Sequence, residues 1–229
     1  MYRKDQTLFE EKIAYHFHRK ELLKQAFTHS SFANEMKIHK WENYERLEFL
    51  GDAVLEMVSS EFLYDLYPEK PEGELSKIRA SLVCEPSLAF CARQIGLEEF
   101  ILLGKGEEST GGRQRDSIIS DVMEAVIGAL FLDGGIDIAK KYIMTYVLSD
   151  LDEKRLFYDA KSILQERVQK NPEMGTLSYI LLKEEGPDHD KSYEVQTMIG
   201  SQPWEIGKGR SKKAAEQQAA YNTLVKMNG

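Results

Sequence analysis

The chain has 229 residues, 42% hydrophobic and 30% charged, enough for one large or two small domains, each with its own core. Its apolar runs are too short to span a bilayer, and the opening MYRKDQTLFE has no apolar signal region, so a membrane partner is excluded and a cytoplasmic protein is expected. The formal charge of −8 argues against simple adhesion to a polyanion.

That charge is uneven. Residues 159–229 carry ten Lys/Arg and ten Asp/Glu, which leaves 20 basic and 28 acidic residues in the first 158. An acidic body that must approach a nucleic acid needs metal ions or a separate binding module. Cys84 and Cys91 stand seven apart in a helical pattern, too far for a disulfide, and fit two buried thiols in a reducing compartment. No Cys/His zinc spacing occurs.

In chain order, residues 5–28 predict two short amphipathic helices broken near His16–Arg19. THSSFANE (Thr28–Glu35) reads as a polar loop with capping hydroxyls. A central helix is expected from about Trp41 to Leu66, stopped by Pro68. Further helices follow over Glu72–Val83 and from Pro86 to Ile95, the second opened by its proline. Phe100–Leu103 is a short apolar stretch that leads into GKGEESTGGRQRDS. This Gly-rich polar loop is either a solvated connection or, through Arg113 and Arg115, a phosphate contact. Asp116–Leu132 is helical and apolar on nearly every side, and residues 136–154 form a last amphipathic helix.

The pattern changes near Phe157. Asp159–Lys170 predicts an amphipathic helix stopped by Asn171-Pro172, then come three strands, Leu177–Glu184, Tyr193–Ile199 and Pro203–Lys208, and an Ala-rich helix, Ser211–Met227. The fold expected is therefore two domains: an all-α domain over 1–150, a linker over 151–157, and a small α+β domain (α-β-β-β-α) over 158–229.

Two core helices carry an anomaly. In Glu45–Glu56, ERLEFLGDAVLE, apolar residues cover most of the circumference, yet Glu45, Glu48, Asp52 and Glu56 fall on one stripe. In Asp116–Leu132 the polar exceptions are Ser117, Ser120, Asp121 and Glu124, with Gly128 on the same side leaving room for another backbone. Buried carboxylates are costly unless paired, hydrogen-bonded or bound to metal. Packed side to side, Glu48, Asp52, Asp121 and Glu124 converge into an all-oxygen site suited to Mg²⁺ or Mn²⁺. Such a site beside a phosphate suits phosphodiester hydrolysis. The five histidines (His16, His18, His29, His39, His189) lie outside both helices, and no Ser-His-Asp or Cys-His arrangement competes. Residue chemistry alone reaches a metal-dependent hydrolase, with phosphates as one candidate substrate class, and stops there.

The run Glu45–Leu55 resembles the signature of ribonuclease III, the double-stranded-RNA endonuclease, and His29–Ser31, Glu72–Ser76, Gly111–Arg113 and Asp121–Ala125 follow in that family's order. Residues 186–189 (GPDH) and Gly207–Glu216 are similar to its double-stranded-RNA-binding domain. Two departures stand out: Tyr44 occupies the place where Asn is usual, with Asn43 one position earlier, and Met123 stands where Phe is common. The resemblance implies metal binding by Glu48, Asp52, Asp121 and Glu124, with Asp52 and Glu124 the catalytic pair, and outer-shell or interface roles for Glu45 and Glu72. It also implies Mg²⁺ as cofactor, with Mn²⁺ substituting, and a homodimer joined near Phe49. The products would be 5′-phosphate and 3′-hydroxyl ends with two-nucleotide 3′ overhangs, and the substrates precursors of ribosomal RNA and some messenger and transfer RNAs.

For the second domain the RNA-binding residues expected are Ser162, Gln165 and Gln169 on the first helix, His189 in the first strand connection, and Lys208, Arg210, Lys212 and Lys213 around the start of the last helix. Glutamines can reach 2′-hydroxyls and base edges in the wide minor groove of A-form RNA, and lysines at a helix N-terminus meet phosphates. Two rivals stay open on residues alone: a protein that grips duplex RNA without cutting it, and a phosphohydrolase of small metabolites.

Overall fold

The computed structural model describes residues 5–149, 160–186, 191–209 and 211–228. The chain divides into two compact units, Met1–Ser149 and Asp150–Gly229. Among the described residues no helix is long and apolar enough to cross a membrane. An all-helical unit followed by an α-β-β-β-α unit is the architecture expected from the sequence.

The first unit opens with α1 (Gln6–Ile13), capped by Asp5, whose carboxylate accepts the Thr7 N–H at 3.0 Å. The break before α2 (Lys20–Ala26) is held by two acids from either side. Buried Glu10 accepts from the Phe17 N–H at 2.8 Å and from the Lys20 ammonium, while Asp133 accepts the His18 and Arg19 N–H groups at 2.9 and 2.8 Å. Phe9, Phe27 and Phe100 pack edge-on and stacked, with centroids 5.0 to 5.7 Å apart, into the core under these helices.

Thr28–Glu35 is not a loop: Ser30–Glu35 forms α3, with the His29 ring accepting the Ser31 N–H in the N-cap position. Next comes a 3-10 turn, Lys40–Glu42, and the long α4 starts only at Glu45, running to Leu66. It begins four residues later than the apolar pattern suggests because Asn43 Oδ1 accepts the Glu45 N–H at 3.1 Å and caps it there. Helices α5 (Glu72–Val83) and α6 (Glu85–Gln94) meet at Cys84. The Gly-rich segment holds α7 (Lys105–Ser109) and a 3-10 turn, Gly112–Gln114, where a plain loop was expected. Helix α8 (Asp116–Gly134) is buried almost throughout. Helix α9 (Ile136–Tyr146) ends well short of 154, because Val147 and Leu148 turn inward and are buried; residues 150–154 lie outside the described residues.

The second unit has α10 (Ala160–Lys170), then β1 (Leu177–Glu185), β2 (Ser192–Ile199) and β3 (Gln202–Gly209) in an antiparallel sheet of order β1-β2-β3, then α11 (Lys212–Asn228). Its core is Ala160, Leu164, Val168, Ile199, Ala220 and Leu224. The alanines of α11 let it lie close on β3, where a Cβ at Gly207 would stand 2.1 Å from the Ala219 nitrogen.

Candidate active site

Helices α4 and α8 pack backbone to backbone. A Cβ at Gly51 would fall 1.8 Å from the Glu124 carbonyl oxygen, and one at Gly128 would fall 2.2 Å from that of Leu47. The two glycines face each other across the crossing, so each helix presses its backbone into the gap left by the other. Leu47, Val54, Leu55 and Val58 of α4, and Val122, Met123, Ala125 and Val126 of α8, are all buried, so both helices lie in the core. Glycine in a helix costs roughly 0.5–1 kcal/mol against alanine. Here it is required, because any side chain would force the helices apart.

This crossing puts the acids of both helices in one electrostatic neighbourhood. Burial and, after it, the charges of Asp52, Asp121, Glu48 and Glu56 together raise the Glu124 carboxyl to about 8. Burial likewise lifts Glu48 to about 7, helped by Asp121, Glu45 and Asp52. Asp121 is raised by burial and by Glu85, while a hydrogen bond from Tyr44 works the other way. Asp52 is the open member, exposed as a residue, yet its carboxyl is partly desolvated and lies in the field of Glu56, and it too is raised. Each of the four holds its proton more tightly than a free carboxylic acid, first because burial disfavours the charged form and then because neighbouring acids add negative charge. As the side chains stand, no three His, Cys, Asp or Glu groups among the described residues are spaced to hold an ion together. The donor set nonetheless fits a hard divalent cation: four carboxylates, no thiolate or imidazole, and a repulsion that only positive charge relieves.

The surroundings fix this group. The Tyr44 hydroxyl, on a residue 5% exposed, donates to Asp121 Oδ2 at 3.1 Å. Burial and the acids Asp121, Glu48 and Glu45 hold that phenol far above its usual range, so it remains a donor. His29 Nδ1 takes the Ser31 N–H at 3.1 Å and lies 2.7 Å from Ser31 Oγ, which in turn accepts the Gly104 N–H at 2.9 Å. With Nδ1 accepting, the imidazole proton is assigned to Nε2, and burial keeps the ring neutral by lowering its pKa. Glu45 sits beside Glu48 at the start of α4. Glu72, exposed on α5, accepts from Ser76 Oγ at 2.7 Å on the same helix. Arg113 and Arg115 are engaged within their own segment. Arg113 binds Glu108 at 2.9 and 2.5 Å, and Arg115 binds Glu107 at 2.5 Å, so a phosphate would have to displace those carboxylates.

In the second unit Ser162, Gln165 and Gln169 share one exposed stripe of α10. Lys208 is exposed on β3 within 3.4 Å of Glu194, and Lys212 lies 3.8 Å from Glu184 and 5.9 Å from the Tyr193 ring centre. Lys213 is exposed at the start of α11; His189 and Arg210 fall outside the described residues.

A family model described as ribonuclease-III-like matches residues 19–151, and one described as a double-stranded RNA binding motif matches residues 160–227. The chain is 50% identical over 224 residues to Ribonuclease 3 of Caldanaerobacter subterraneus subsp. tengcongensis, covering 96% of this chain and 97% of that one. It is 48% identical over 221 residues to Ribonuclease 3 of Bacillus velezensis, covering 96% and 88%. The chain belongs to the ribonuclease III family. As such it is an endoribonuclease that acts on double-stranded RNA. Among solved structures it is similar to the nuclease domain of ribonuclease III from Campylobacter jejuni, with TM-score 0.59 and 43% identity over 62% of this chain and 96% of that one. That structure is described for flexibility in a region involved in dimer formation.

Against this ribonuclease III frame, reading the sequence missed three contributors. Tyr44 was seen only as a departure from the usual asparagine; the signal for its role was Asn43, which already supplies the cap. Glu56 belongs to the acidic stripe and acts on Asp52 one turn away on α4, but its action on Glu124 depends on the crossing. Glu85, at the start of α6, reaches Asp121 only through tertiary packing, and nothing local to residue 85 announces it.

Proposed function

We propose that this ribonuclease III hydrolyses double-stranded RNA with Mg²⁺, or Mn²⁺ in its place, held by Glu48, Asp52, Asp121 and Glu124, with Asp52 and Glu124 the indispensable pair. The observation that carries this reading is the Gly51–Gly128 crossing, which joins the two core helices that carry the four acids; burial raises all four, and the charges of the others raise Glu48 and Glu124 further. Bound there, Mg²⁺ would supply positive charge that acidifies water and offsets the charge of the scissile phosphate. The chain's own part is to hold the two helices that carry the four carboxylates at one fixed crossing, so that the backbone scaffold of the site is set before RNA arrives. Glu45 and Glu72 act outside the ligand set, in the outer shell or at the interface.

The reading extends to the assembly. Phe49, Met57 and Tyr64 project from α4 with exposures of 81%, 52% and 73%, spaced so that they share one face beside the acids. A second copy covering this face makes a homodimer with one centre per subunit. Each centre then cuts one strand, giving 5′-phosphate and 3′-hydroxyl ends with two-nucleotide 3′ overhangs. The nuclease domain occupies 1–150, a linker 151–157 and the RNA-binding domain 158–229, whose Ser162, Gln165, Gln169, His189, Lys208, Arg210, Lys212 and Lys213 grip duplex RNA by shape. Precursors of ribosomal RNA and some messenger and transfer RNAs, processed in the cytoplasm, are the substrates that fit this activity.

The test is cleavage of a long RNA duplex by full-length Glu124→Ala and Asp52→Asn. Each is expected to lose about 10²–10³-fold in rate, the scale on which preorganised electrostatic groups act, while duplex binding by gel shift is retained. A variant that cuts at the wild-type rate would refute the assignment, and wild-type cleavage in chelator would refute the metal requirement.

A further inference from the structure

Tyr44 stands where two chemical tasks separate. The residue ahead of α4 would ordinarily cap the helix, but Asn43 does this through its Oδ1 contact with the Glu45 N–H at 3.1 Å. The Tyr44 side chain is thereby left free, while its backbone is clamped on both sides. Its N–H donates to the Thr28 carbonyl at 2.9 Å, and its own carbonyl accepts from Leu47 and Glu48 at 2.8 and 2.9 Å. The His29 ring, 5.6 Å away at 51°, closes against it, and His29 is itself pinned by Ser31, whose Oγ accepts the Gly104 N–H. A phenol held this tightly has one direction for its hydroxyl, and that direction is Asp121 Oδ2 at 3.1 Å across the α4–α8 seam.

We propose that Tyr44 is a positioning residue of the nuclease site, whose buried hydroxyl fixes the rotation of the Asp121 carboxylate and so sets how tightly the four acids take a divalent cation. The proposal rests on the metal-site reading above. Groups that hydrogen-bond a metal's carboxylate ligands orient them, and their loss weakens metal affinity by roughly 10–100-fold.

The experiment is titration of the full-length dimer with Mn²⁺ alone, by calorimetry and by Mn²⁺ paramagnetic resonance, for wild type, Tyr44→Phe, Asp121→Asn and the double variant. Tyr44→Phe keeps the ring and removes only the hydroxyl. It is expected to weaken Mn²⁺ binding about tenfold. The Mg²⁺ concentration for half-maximal cleavage should rise by the same factor, with kcat recovered at saturating Mg²⁺. In the Asp121→Asn background the same change should alter Mn²⁺ affinity by less than about twofold, because contacting residues are coupled. If Asp121→Asn weakens Mn²⁺ binding and Tyr44→Phe does not, the positioning role is wrong while the metal site stands. Equal loss in both backgrounds would also overturn it, since the hydroxyl would then act on the fold and not through Asp121. Mn²⁺ binding untouched by Asp121→Asn would overturn the metal site and the positioning role together.

Discussion

Glu48 and Glu124 hold protons that an exposed glutamate loses near pH 4.5, because burial and neighbouring acids raise them to about 7 and about 8. The sign of the consequence follows from proton counting. Between the ordinary value and the raised one the folded chain binds more protons than the unfolded chain, so stability falls as pH rises. In chelator, the thermal midpoint of the full-length protein is expected to drop steadily from about pH 5 to about pH 8 and then level, whereas 10 mM-scale Mg²⁺, on the order of magnitude that saturates weak sites, flattens the curve by stabilising the charged form. A midpoint that rises with pH in chelator would show that the acids are already balanced by something else. Residue identity gave this much away: two acidic stripes on otherwise apolar helices can be read from spacing. What spacing could not supply was the ordering among the acids, with Asp52 open and Glu124 sunk, or the donor on Asp121.

At the scale of elements, the α4–α8 crossing decides whether a site exists. Gly51→Ala would place a methyl 1.8 Å from the Glu124 carbonyl oxygen and displace the strip of backbone that carries that acid. We expect a loss of about 3 kcal/mol by urea unfolding, the upper range for overpacking, together with loss of cleavage. Gly73→Ala on α5 is the control: an added Cβ meets nothing within 4 Å, so the gain in helix preference should stabilise the protein by about 0.5–1 kcal/mol. Equal effects at the two glycines would remove the crossing from the account. Long elements were legible from periodicity, α8 and the three strands most of all, because their cores impose a regular pattern. The short ones were not. In α3 the cap is a histidine ring accepting from Ser31, and in α7 the segment is polar and Gly-rich, so hydrogen bonds made in the folded chain, and not apolar spacing, hold each helix.

For the whole molecule the exposed face of α4 carries the next expectation. Phe49, the most exposed large apolar side chain among the described residues of the nuclease unit, lies three residues from Asp52 on the same helix, so a partner seated there would border both centres. Phe49→Asp is expected to convert a dimer into a monomer in sedimentation at micromolar concentration while circular dichroism stays unchanged, since the side chain supports nothing in its own subunit. A variant that still sediments as a dimer would place the interface elsewhere. The uneven charge also makes sense at this scale: the acidic excess of residues 1–158 belongs to the unit that bears the carboxylates, and the balanced remainder to the unit matched by the RNA-binding motif.

The order of the long elements, the succession of an all-helical and an α-β-β-β-α architecture, and the family were legible in the sequence itself, because periodicity, capping residues and motif spacing act within a few residues of chain. Tertiary structure alone decided that Gly51 and Gly128 meet, that Tyr44 reaches Asp121, and that Glu56 and Glu85 add their charge to the site. The physical reason is range. Those contacts join residues more than 30 positions apart, and electrostatic shifts depend on depth and distance in the folded chain, neither of which is written in the order of residues.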